Sequence, residues 1–283
     1  MSMLKQRVIT AVSLLVLLLP ALWVRNPWLF ALLTLALIGA AGWEWGRLNG
    51  LGTLPALSIS ALVLGLCLVA LAAGWLAVPP AWAWWLPMVV WVGGGAWVIR
   101  HGPNGWRSCL MVLRLLAGVV LLALAWLALA HAKTRGINYV LSVFCLVWVA
   151  DIAAYFGGRV FGRHKLAPAI SPGKSWEGVW SGMAGVLLLG WFWCTVIDRR
   201  IPVDSLSLYS ELADGLGIAH AVLTLLFLSA MSVVGDLVES VVKRSAGVKD
   251  SSALLPGHGG VLDRVDALLP VFPLALVFST SRG

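Results

Sequence analysis

Apolar stretches about 20 residues long recur from one end of this 283-residue chain to the other, and no other feature constrains its fold as much. A hydrocarbon core about 30 Å thick needs roughly 20 apolar residues per helical span. By that measure nine spans are predicted: 8–24, 27–45, 54–78, 82–99, 110–131, 137–156, 176–197, 218–242 and 261–279. A mean hydropathy of +0.94 agrees with a protein embedded in lipid along its whole length, not anchored to it by one segment. The alternating period-2 segments of a β-barrel are absent from the sequence. The fold class expected is therefore all-α, a polytopic membrane helical bundle of about nine transmembrane helices.

The opening Met1–Pro20 has the charged start and apolar run of a signal peptide but no small-residue cleavage site after it, so a retained signal anchor is expected. Placing the N-terminus in the cytoplasm puts Lys5, Arg7, Arg47, Arg100, Arg107, Arg159, Arg163, Lys165, Lys174, Lys243, Arg244 and Lys249 on that side. The opposite side then holds Arg25, Lys133, Arg135, Arg199, Arg200 and Arg282. This excess of basic loops favours a cytoplasmic N-terminus. The net charge of +8 is dispersed among short loops, with no basic stripe to track a phosphate backbone, so nucleic acid is not an expected partner. Cys67, Cys109, Cys145 and Cys194 have no metal or disulfide spacing and read as core residues.

Two regions are expected. Residues 1–131 are apolar spans joined by short turns such as 100–105, and the tryptophans of 81–85 suit a membrane interface. Residues 132–283 form a catalytic region with cytoplasmic loops 157–175 and 243–260. Of twelve carboxylates, only Glu44 precedes residue 150. Asp198, Asp204, Glu211 and Asp214 fall in an outward loop where solvation explains them. The other seven, Asp151, Glu177, Asp236, Glu239, Asp250, Asp263 and Asp266, gather at the two loops that basic residues alone assign to the cytoplasm.

Asp151 lies within an apolar run, roughly 7 Å below the helix end at 1.5 Å per residue, where ionisable groups usually face a site. Asp236 with Glu239, and Asp263 with Asp266, stand at i, i+3 on one helix face. Like charges so placed repel unless a cation lies between them, and all-oxygen ligation favours Mg²⁺ or a similar hard cation. Lys243 at i+4 from Glu239 offers the alternative of a plain ion pair, and Arg264 could neutralise Asp266. Lys174, Lys243, Arg244, Lys249 and Arg264 are phosphate-seeking groups. Gly257, Gly259 and Gly260 allow close backbone approach to an anion, and His258 could bond a phosphate or order the turn. Gly173-Lys174-Ser175 is not a Walker motif, because position 168 is Pro168 and no strand precedes it. It reads instead as a helix start, with Ser175 as cap and Glu177 in the first turn.

The run Ser240-x-Val242-Lys243-Arg244-x4-Lys249-Asp250-x-Ser252-x2-Leu255-Pro256-x-His258-Gly259-Gly260-Val261-x-Asp263-Arg264-Val265-Asp266 resembles the signature of the bacterial phosphatidate cytidylyltransferases, the CDP-diacylglycerol synthases. Asp151, Ala154-Tyr155 and Ser171-Pro172-x-Lys174-Ser175-x-Glu177-Gly178 resemble a second block of that family, in which Thr is commoner than Ser175. The resemblance implies an integral enzyme of the bacterial inner membrane, dimeric, with its active site facing the cytoplasm. It would make CDP-diacylglycerol and pyrophosphate from CTP and phosphatidate with Mg²⁺, a second cation being an open alternative. On that reading Asp236, Asp263 and Asp266 are the first metal ligands and Asp151 and Glu239 the next. Lys174, Lys243, Arg244, Lys249, Asp250, His258 and Arg264 are then catalytic, and Gly257, Gly259 and Gly260 line the nucleotide. A polyprenol kinase or other CTP-using lipid transferase is the rival enzyme. An ion-coupled transporter fits less well, because the carboxylates cluster at one face of one half.

Overall fold

The structure, a computed structural model, describes residues 16, 18–24 and 26–279. Seven of its helices are long and apolar enough to cross a membrane: α1 (Pro27–Leu48), α2 (Thr53–Ala72), α3 (Trp82–Ser108), α4 (Met111–Arg135), α5 (Ile137–Phe161), α6 (Trp176–Arg200) and α8 (Ile218–Ser245). A short antiparallel hairpin, β1 (Lys165–Ala167) and β2 (Ser171–Ser175), joins α5 to α6. The short α7 (Leu208–Leu216) precedes α8, and the chain closes through α9 (Leu262–Val265) and α10 (Leu268–Ser279). This is a polytopic helical membrane protein.

The predicted span 8–24 lies mostly outside the described residues. The predicted span 261–279 is divided: α9 is a single turn, and α10 has 12 residues, with Pro270 in its first turn and Pro273 inside. Leu269 to Val277 are all buried, so α10 is wrapped by α3, α4, α5, α7 and α8. A helix that is apolar all round belongs inside a bundle.

The turn expected at 100–105 is instead helical. The break is confined to Gly102, at φ 63°, and Pro103 restarts the helix that runs to Ser108. The loops expected at 157–175 and 243–260 both begin later, because α5 continues to Phe161 and α8 to Ser245. Of the tryptophans at 81–85, Trp82 and Trp85 are exposed as a membrane interface requires, while Trp84 is buried against His131.

Small residues set the α5–α6 contact. A Cβ on Gly182 would lie 2.8 Å from the Ala150 carbonyl, and one on Gly178 would lie 2.8 Å from that of Ala154. Lipid provides no hydrophobic drive between helices, so close backbone packing of this kind is what holds them. It also fixes the hairpin that carries Lys174.

The carboxylates between 198 and 214 are not merely solvated. Asp204 accepts the N–H groups of Ile137 and Asn138 at 2.6 and 3.0 Å, capping α5, and Asp198 accepts from Asn138, Ser207 and Ser210. Glu211 pairs with Arg135 at 2.5 Å. A helix start leaves four N–H groups without partners, and here the loop supplies the acceptors.

Candidate active site

The signature segment folds as a compact loop between α8 and α9. Leu255-Pro256-Gly257-His258 forms a turn closed by the His258 N–H on the Leu255 carbonyl at 2.8 Å. Proline second and glycine third, with Gly257 at φ 75°, is the sequence of a type II turn. Both Nε and Nη2 of Arg264 donate to the His258 carbonyl, at 3.1 and 2.7 Å, and so fasten the turn to α9. The C-terminus of α8 is fastened too: Arg107 donates to the carbonyls of Ser245 and Arg244 at 2.6 and 3.4 Å.

A polar cavity of about 270 Å³ opens beside this loop. Lys243, Arg244, Lys249 and Arg264 line it together with Asp236, Asp250, Asp263, Asp266 and Ser240. Eight of the predicted site residues therefore meet in one space. Lys174 joins them through an ion pair to Asp236 at 2.7 Å, delivered from β2 just ahead of α6. Ser175 caps α6 as expected, accepting the Gly178 N–H. Glu177 turns away, to the His164 ring and N–H. Asp151 makes no hydrogen bond or ion pair among the described residues, but lies within electrostatic reach of Lys174 and Asp236.

Lys243 Nζ lies between Glu239 at 2.5 Å and Asp263 at 2.6 Å. It is both the i+4 partner of Glu239 and the internal cation of the cluster. The other oxygen of Asp263 accepts from the Ser251 N–H and hydroxyl and the Gly260 N–H, at 2.9, 2.8 and 2.7 Å. Burial works to raise the Asp263 carboxyl, but the hydrogen bonds from Lys243, Gly260 and Ser251 outweigh it and hold the group at about 2. Asp266 moves the other way, raised by burial and by the charge of Asp236. Arg264, which could have neutralised Asp266, donates through Nε and Nη2 to the His258 carbonyl instead.

The carboxylates suit a hard cation in chemistry. Asp236 and Asp266 repel each other, and one oxygen of Asp266 accepts from the Ala267 N–H at 2.8 Å. Asp263 is the most committed of the three, since it would have to release Lys243 or Ser251 to join a ligand shell. No group of three or more His, Cys, Asp or Glu converges as a ready metal cluster among the described residues.

Residues 5–281 match the cytidylyltransferase family. The chain belongs to that family. It is 37% identical over 290 residues to the phosphatidate cytidylyltransferase of Pseudomonas aeruginosa, covering 99% of each chain. It is 35% identical to that of Haemophilus influenzae over 98% of each, and 37% identical to that of Staphylococcus aureus over 56% of this chain and 55% of the other.

Within this cytidylyltransferase Gly259 and Gly260 pack closely against the protein's own side chains. A Cβ on Gly260 would lie 2.0 Å from the Ser251 hydroxyl and 2.4 Å from Glu44 Oε1, and one on Gly259 would lie 2.8 Å from Asp263 Oδ2. In this structure the loop closes on the protein's own carboxylates. His258 does not line the polar cavity, and its Nδ1 is buried without a partner among the described residues.

Glu44 is the residue that sequence reasoning passed over. Fully buried in α1, it accepts from the hydroxyls of Ser251 and Ser252 at 3.2 and 2.5 Å. It also accepts from the N–H groups of Val261 and Leu262 at 2.9 and 2.7 Å. Val261 is the N-cap residue of α9 and Leu262 its first residue, so α1 holds the start of the turn that carries Asp263. A lone carboxylate in an apolar helix, where ionisable residues are rare and usually paired, was the available signal.

Proposed function

We propose that this enzyme transfers the cytidylyl group of CTP to phosphatidate, giving CDP-diacylglycerol and pyrophosphate in phospholipid synthesis. The observation that carries the reading is the polar cavity, walled by phosphate-seeking side chains and adjoining an apolar one at Asp266. An anionic headgroup and a lipid tail can be held side by side there.

The reaction is an in-line displacement. A phosphate oxygen of phosphatidate bonds to the α-phosphorus of CTP as the bond from that phosphorus to the β-phosphate bridging oxygen breaks. Both reactants are anions, so the protein's task is neutralisation and alignment. A phosphate monoester is already nucleophilic at neutral pH, and no protein nucleophile is required. Lys174, Lys243, Arg244, Lys249 and Arg264 hold the phosphates of the two substrates, and Asp250 and His258 support the loop that presents them.

Four cations against four carboxylates leave the cavity wall nearly neutral. It cannot by itself balance a triphosphate and a phosphate monoester. Mg²⁺, when bound, supplies the missing positive charge at the phosphate oxygens. Asp236, Asp266 and Asp263 are its proposed ligands, with Asp151 and Glu239 next. The excess of basic loops supports a cytoplasmic active site, in the inner membrane of a bacterium, and a homodimer is the proposed assembly.

The test is a micelle assay of the purified protein with labelled CTP, phosphatidate and Mg²⁺, following both products. Chelator-sensitive formation of CDP-diacylglycerol and pyrophosphate, absent without phosphatidate, is expected. No product from folded protein, or turnover with a polyprenol instead, overturns the reading.

A further inference from the structure

A second cavity, of about 230 Å³, lies between α1, α3, α4 and α8 and meets the polar cavity at Asp266, which lines both. Its walls are almost wholly apolar. On one side α3 widens into a π-helical turn over Val90–Gly94, which gives Val90, Trp91 and Gly94 to the lining. Such turns interrupt regular helices rarely, and often where a ligand binds.

Two hydrogen-bond donors in this lining have no partner among the described residues: Trp91 Nε1 and Arg114 Nε. Trp91 is only 5% exposed. Buried donors are ordinarily satisfied, and one that is not calls for a ligand or another explanation. The occupant this lining suits is apolar for most of its length, carries hydrogen-bond acceptors for Trp91 and Arg114, and ends in a group matched to the polar cavity. The ester carbonyls and first methylenes of a diacyl lipid, next to its phosphate, meet all three requirements.

We propose that this cavity seats the ester-linked portion of the acceptor lipid, with Trp91 Nε1 and Arg114 Nε as donors to its ester carbonyls and the π-helical turn as the wall along one acyl chain. The inference rests on the phosphatidate reading and deepens it. It makes the enzyme selective for acyl over alkyl chains and for long over short ones.

Two variants test it in the full-length protein in micelles. Trp91→Phe removes one donor and keeps an aromatic ring, at the loss of three ring atoms. Gly94→Leu adds bulk where a new Cβ has only Val90 nearby, at 3.7 Å, in helical backbone. The probes are dioleoyl phosphatidate, its dialkyl ether counterpart, and dihexanoyl phosphatidate. Trp91→Phe is expected to reduce the ester-over-ether preference in kcat/KM by about threefold to tenfold, the worth of one hydrogen bond. Gly94→Leu is expected to reduce the dioleoyl-over-dihexanoyl preference by about tenfold. Unchanged ratios overturn the inference while leaving the reaction intact. Unchanged ratios with Gly94→Leu separating a dimer into monomers would assign the cavity to a second copy of the chain instead. Failure of the wild-type protein to use any of the three lipids overturns the reaction and the lipid seat together.

Discussion

Glu44 accepts the N–H of Val261 at 2.9 Å, across 217 residues of sequence. This bond ties the N-terminal helices to the signature loop. Without the Glu44 carboxylate the N–H groups of Val261 and Leu262 lose their acceptor, at roughly 1–3 kcal/mol for each buried donor. Glu44→Ala is therefore expected to lower kcat/KM by at least about a hundredfold and to reduce thermal stability in micelles. Glu44→Gln, which keeps one good acceptor, should fall between it and wild type. Equal activity in all three proteins would show that the loop holds its shape without α1.

Lys243 stands between Glu239 and Asp263, whose side chains are 4% and 6% exposed. Removing one partner of a buried ion pair typically costs about 3–5 kcal/mol, because the other charge is left uncompensated. Lys243→Met should approach that cost in denaturation measurements. Glu239→Gln added to it should restore part of the loss. A double variant no more stable than Lys243→Met would argue that Glu239 is not the charge left stranded.

Asp263 is held below its ordinary range, so its ionised form is stabilised in the folded protein. A depressed carboxylate contributes stability above its unfolded value, about 3.9, and loses it as pH falls through about 2. The stability difference between wild type and Asp263→Asn should be constant from about pH 5 to 8 and should shrink below about pH 4. Asp263→Asn should also abolish Mg²⁺-dependent turnover while leaving membrane insertion intact. Full activity would remove Asp263 from the site.

What the sequence made legible was local. The Glu239–Lys243 pair at i, i+4 and the Ser175 cap follow from spacing along a single helix, and the gathering of carboxylates follows from their place beside two basic loops. What it hid was pairing across helices. Nothing in the apolar run around Glu44 says which loop it meets, and nothing near Asp204 says that it caps α5. The same limit applies to the glycines. Pro256-Gly257 announces a turn, but only the fold shows that Gly260 gives way to a carboxylate from α1.

Lys174 pairs with Asp236 at 2.7 Å, with side chains 25% and 35% exposed. A pair so open to solvent adds little to stability, about 0–1 kcal/mol. Its value lies in placement, since the bond draws the hairpin ahead of α6 over the cavity bounded by α8. Phosphate bound in the cavity would compete for the ammonium, and Asp236, once released by Lys174, would have an oxygen available to hold a cation. Lys174→Ala should therefore leave thermal stability within about 1 kcal/mol of wild type while reducing kcat/KM by at least tenfold. Lys174→Arg should recover part of the activity. Kinetics and thermal denaturation on the same preparations separate the outcomes. A loss of stability matching the loss of activity would make Lys174 a structural tie and remove it from the phosphate site.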